Sequence, residues 1–90
     1  MSGARRVRVR GTVQGVFYRQ WTADRARALG VSGWVRNDPD GSVEALLEGE
    51  SSALDVMISE MRRGPDGARV DRLDSEDAAA ERTTGFEVRH

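Results

Sequence analysis

The stretch Arg6-Val7-Arg8-Val9-Arg10-Gly11-Thr12-Val13-Gln14-Gly15-Val16-Phe17-Tyr18-Arg19 holds two periodicities with a turn between them. Up to Val13 the chain alternates. Val7, Val9, Gly11 and Val13 fall on one side of an extended backbone, and Arg6, Arg8, Arg10 and Thr12 on the other. That is the pattern of a half-buried strand. From Tyr18 to Leu29 the spacing becomes helical, with Tyr18, Thr22, Ala26 and Leu29 on one face and Gly30 placed to end the helix. A glycine-bearing turn thus joins a strand to a helix N-terminus. Unpaired backbone N–H groups and the positive end of the helix dipole gather there, so the turn suits an anion. Gly15 is expected where the backbone must approach a ligand or take a positive φ. Arg19 adds a planar cationic fork that matches a phosphoryl group.

The remaining chain extends this unit. Val31 to Asn37 predicts a second strand, with Val31, Gly33 and Val35 on one face and Trp34 on the other. Asp38-Pro39-Asp40-Gly41 is a turn, and Val43, Ala45 and Leu47 alternate beyond it, so these strands form a hairpin. Ser52 and Asp55 have the spacing of a capping box, followed by Leu54, Met57, Ile58 and Met61 on one helical stripe. Gly64-Pro65 stops that helix. Arg69 to Ser75 predicts a strand whose Val70 and Leu73 break alternation, as at a bulge. Asp74 to Thr84 reads as a solvated acidic loop, and Phe86 and Val88 as a short last strand. The order predicts an α+β, ferredoxin-like βαββαβ sandwich. Two helices cover one face of a four- to five-stranded, mostly antiparallel sheet, with the third strand between the first and second.

Composition narrows the chemistry. The chain has 90 residues, enough for a single domain over 1–90, and carries a net charge of −1. It has no run of 18 apolar residues and no apolar signal core, so a cytoplasmic, monomeric protein away from membranes is expected. There is no cysteine and no lysine, and the one histidine is His90. Thiolate zinc sites, Cys-based phosphatase chemistry, a Walker-type loop and Schiff-base catalysis are therefore excluded. Asp71, Asp74, Glu76 and Asp77 lack a ligand pattern, so no metal site is expected. The open sheet face would carry Arg8, Arg10, Trp34, Arg36, Glu44, Leu46 and Glu48. One tryptophan among arginine–glutamate pairs is poor equipment for stacking RNA bases, so no nucleic acid is expected.

Gly11 to Arg19 resembles the first signature of the acylphosphatase family. Gly33-Trp34-Val35-Arg36-Asn37-Asp38-Pro39-Asp40-Gly41-Ser42-Val43-Glu44 resembles the second, and Gly85-Phe86-Glu87-Val88-Arg89 resembles the family's ending. Tyr18 stands where phenylalanine is common, and Asp38 adds a charge beside the matching asparagine. The resemblance implies hydrolysis of the carboxyl–phosphate bond of acyl phosphates with no metal or cofactor. It implies that Arg19 binds the phosphoryl group, together with the loop Gln14, Gly15, Val16, Phe17, Tyr18 and Arg19, and that Asn37 orients the attacking water. Small anions such as inorganic phosphate should occupy the same loop.

The residues are adequate to that chemistry. An acyl phosphate has a good leaving group, and its loose transition state asks mainly for positioning and charge stabilisation. A backbone nest and one arginine supply both. Asn37 alone would read as a turn former, and Arg19 alone as a solvated side chain packed on Trp21. A noncatalytic domain that binds an anion or RNA is the rival from another class. The predicted topology puts one strand between Asn37 and the loop, so sheet twist and the hairpin turn must bring them together.

Overall fold

The computed structural model describes residues 2–15 and 17–89. Its elements are β1 (Ser2–Thr12), α1 (Tyr18–Leu29), β2 (Ser32–Asn37), β3 (Val43–Glu50), α2 (Ser51–Arg63), β4 (Arg69–Asp77) and β5 (Phe86–Arg89). The sheet order is β4-β1-β3-β2-β5, antiparallel except where β5 runs parallel to β2. This is the α+β sandwich that the element order predicts, with β3 between β1 and β2.

Between the sheet and the helices lies the main core. Val7, Val9, Val35, Ala45 and Leu47 come from the strands, and Tyr18, Ala26, Leu54, Met57 and Met61 from the helices. α1 begins and ends where its periodicity placed it. Gly30 caps it at φ 71°, and the Val31 N–H donates to Ala26 O at 2.8 Å, which closes the last turn. The bulge lies where alternation failed. Arg10 pairs with Arg72 but Gly11 with Val70, which leaves Asp71 as the extra residue.

Three expectations need correction. β1 starts at Ser2 rather than Arg6, because Ser2 to Arg5 pair with Leu47 to Glu50, and ladder bonds do not require alternating side chains. Ser52 caps nothing. α2 follows β3 without a loop, Glu50 is its N-cap, and no side chain caps that end. The segment 74–84 is only in part an exposed loop. Its first part belongs to β4, where Arg8 faces Asp74 and Arg6 faces Glu76. Residues beyond Asp77 cross the open face as a strap. Glu48 on β3 accepts the N–H groups of Arg82 at 3.2 Å and Thr83 at 2.8 Å, and those of Glu81 and the Thr83 hydroxyl as well. Trp34 Nε1 donates to Glu81 at 3.2 Å. Beneath the strap, Ala4, Trp34 and Leu46 form a second small core.

Candidate active site

The β1–α1 turn is bent by two positive φ angles, 75° at Gly15 and 59° at Phe17. Phe17 is the N-cap of α1 but offers no side-chain acceptor, and the first helical turn carries no acidic residue. A helix N-terminus of this kind is a favourable place for an anion. A cleft of about 270 Å³ opens over the turn, lined by Val13, Gly15, Phe17, Tyr18, Arg19, Gln20, Asn37 and Val88. Arg19 of α1 and Asn37 of β2 meet in one cavity, although β3 lies between β1 and β2 in the sheet. Arg19 stands in the first turn of α1, where a cation is disfavoured by roughly 0.3–1 kcal/mol, and Nη1 donates to Arg89 O of β5 at 2.9 Å.

Asn37 is the last residue of β2 and is paired with Val43. Its Oδ1 is buried and has no hydrogen-bond donor among the described residues. A buried amide oxygen without a donor is costly unless something in the cleft supplies one. The next residues are held from both sides. From the loop, Gln14 Nε2 donates to Asp38 O at 2.9 Å and Ser42 O at 3.0 Å. From the open face, Arg8 Nη1 donates to Asp38 Oδ2 at 3.0 Å and Ser42 Oγ at 2.7 Å. The Asp38 charge is thereby turned away from the cleft and paired. Hydrogen bonds from the Ser42 hydroxyl and backbone N–H lower the Asp40 carboxyl to about 2.

The residues expected to bind phosphate thus divide. Gly15, Phe17, Tyr18 and Arg19 line the cleft, and Val16 lies outside the described residues. The Gln14 side chain bonds to the hairpin instead. Tyr18 faces inward. Its hydroxyl donates to Met61 O at 2.8 Å, and burial pushes its pKa well above the usual phenol range. Only its backbone can serve a ligand. Gln20 and Val88 are wall residues that the sequence reading missed. Val88 becomes a candidate only once β5 is known to pair with β2. Among the described residues, no three or more His, Cys, Asp or Glu cluster as a metal site would require.

Comparison with known proteins bears on the family and the fold. The acylphosphatase family model matches residues 5–88. The acylphosphatase of Rhizobium etli is 55% identical over 76 residues, which cover 84% of this chain and 81% of that one. The acylphosphatase of Rubrobacter xylanophilus is 53% identical over 85 residues, 93% of this chain and 77% of that one. The solved acylphosphatase of Coxiella burnetii superposes with a TM-score of 0.94 at 33% identity, over 98% of this chain and 93% of its own.

Proposed function

From the premise that this chain belongs to the acylphosphatase family and hydrolyses acyl phosphates, we propose that it does so by in-line attack of water on phosphorus, without metal or cofactor. Arg19 and the backbone N–H groups of the loop, from Gln14 through Gly15, Val16, Phe17 and Tyr18, hold the phosphoryl oxygens. Asn37 aligns the water. One observation carries this reading: Arg19 and Asn37 line a single cleft, and the Asn37 Oδ1 there is buried without a donor among the described residues. A water that donates to this oxygen would satisfy it, with its own lone pair left for phosphorus. An asparagine cannot take the proton, so a phosphoryl oxygen of the substrate receives it. No side-chain base with a pKa near neutrality should then appear in the pH profile of kcat.

The rest of the reading is a cytoplasmic monomer that binds small anions and no nucleic acid. In support, the net charge is −1, and the exposed large apolar side chains among the described residues are Phe17 and Val56. Trp34 is 4% exposed, flanked by the guanidinium groups of Arg6, Arg36 and Arg89, so no ring face is open to a base. The test is release of carboxylate from acetyl phosphate in excess chelator. Turnover by the wild type and its near-complete loss in Arg19→Lys are expected, because a point charge does not reproduce the fork. Turnover that required added metal, or that survived Arg19→Lys at full rate, would overturn the assignment.

A further inference from the structure

Phe17 combines three features that packing does not explain. Its φ is 59°, the left-handed region in which a bulky residue is strained. Its side chain is 85% exposed. It also stands in the wall of the cleft that holds Arg19 and Asn37. A glycine at this position would remove the strain and the exposed ring together, so core stability gives no reason for the phenylalanine. The burial gradient across the cleft supplies one. The Asn37 Oδ1 is buried and the Phe17 ring is open to solvent, so Asn37 marks the floor and Phe17 the rim. An acyl phosphate seated with its phosphoryl group on the loop must project its acyl group outward past that rim. There it meets an aromatic face, with the apolar Val13 and Val88 in the same wall. Among the described wall residues the one charged side chain is Arg19, which the proposed phosphoryl seat already uses, so no second charge favours a polar acyl group.

We propose that Phe17 determines acyl specificity. Its ring packs against the acyl group, so the enzyme prefers acyl phosphates whose acyl group is aromatic or bulky and apolar. The inference rests on the phosphoryl seat described under Proposed function. Contact with one exposed ring removes apolar surface from water on both partners, which supports a preference of about tenfold.

The experiment compares kcat/KM for benzoyl phosphate and acetyl phosphate. The wild type should favour benzoyl phosphate by about tenfold. In Phe17→Ala that ratio should fall at least fivefold, whatever happens to the rates the two substrates share. Phe17→Tyr should keep the ratio. Phe17→Gly should lose it while the thermal midpoint rises, since the strain disappears; this variant keeps the test alive if Phe17→Ala folds poorly. A wild-type ratio near one, or a ratio unchanged in Phe17→Ala and Phe17→Gly, overturns the proposal. Calorimetric binding of phenylphosphonate and methylphosphonate makes the same comparison without turnover. Selective binding of the phenyl compound without any hydrolysis would refute the catalytic reading alone. Hydrolysis with no dependence on Phe17 would refute this inference alone.

Discussion

Asn37 ends a strand, lines the cleft and keeps a buried oxygen without a donor among the described residues, so truncating it should remove an alignment rather than a binding contact. Asn37→Ala is expected to lower kcat by about 10²–10³-fold, comparable with the loss of one preorganised hydrogen-bonding group. Inhibition by inorganic phosphate should stay near its wild-type value, as steady-state kinetics with phosphate as competitor would show. Gly11 makes a structural prediction. Its φ is 133°, and a Cβ there would run into the Arg69 carbonyl and come within 2.8 Å of the Asp71 nitrogen across the bulge. Gly11→Ala should destabilise the fold by about 2–3 kcal/mol, read from urea unfolding. At this scale residue types were legible but directions were not. Tyr18 belongs to a motif that suggests phosphate, yet its hydroxyl finds an acceptor at Met61, which no local pattern announces.

The decisive element is the β2–β3 hairpin and its attachment to the β1–α1 turn. Gln14 is the bridge. Its amide reaches two carbonyls of the hairpin, so the two halves of the cleft are fastened through one side chain. Gln14→Ala should lower kcat about tenfold through looser placement of Asn37. It should change phosphate inhibition far less, and a KM-against-kcat comparison separates the two effects. Elements with a strong period were readable. α1 and the apolar stripe of α2 depend on local spacing, and the bulge in β4 showed as a break in alternation at Val70 and Leu73. The strap was not readable. Its sequence is polar and alanine-rich, and the groups that order it are distant in the chain, chief among them the Glu48 carboxylate about 35 residues earlier.

Across the whole molecule, two carboxylates on the open face tie separate elements together. Glu44 lies between Arg6 at 3.2 Å, Arg8 at 3.3 Å and Arg36, and Glu48 holds the strap. Burial pushes each carboxyl up. The Arg36 and Arg6 hydrogen bonds at Glu44, and those from Thr83, Glu81 and Arg82 at Glu48, outweigh it and leave both pKa values below the ordinary 4.5. Groups lowered in the folded state contribute stability above their unfolded pKa, and that contribution is lost as pH falls through the folded value. The thermal midpoint should therefore be level near neutrality and drop below about pH 4.5. Glu48→Gln should cost about 1–3 kcal/mol at pH 7, because strap donors lose their acceptor. The gap to wild type should narrow by pH 3, and calorimetric scans at both pH values would show this. The arginine–glutamate pairing on this face was legible from strand parity, but the covering strap was not.

That covering has an optical consequence. The chain has two tryptophans, on opposite sides of the sheet. Trp21 lies on the helical side with its ring centroid 5.5 Å from that of Tyr18, just beyond the loop, while Trp34 is roofed by the strap. Intrinsic fluorescence therefore contains two local signals that single Trp→Phe variants would separate. Emission from Trp34 reports whether the roof is closed, and emission from Trp21 reports events beside the cleft. Ligand arrival and roof opening could be followed independently in one unlabelled protein.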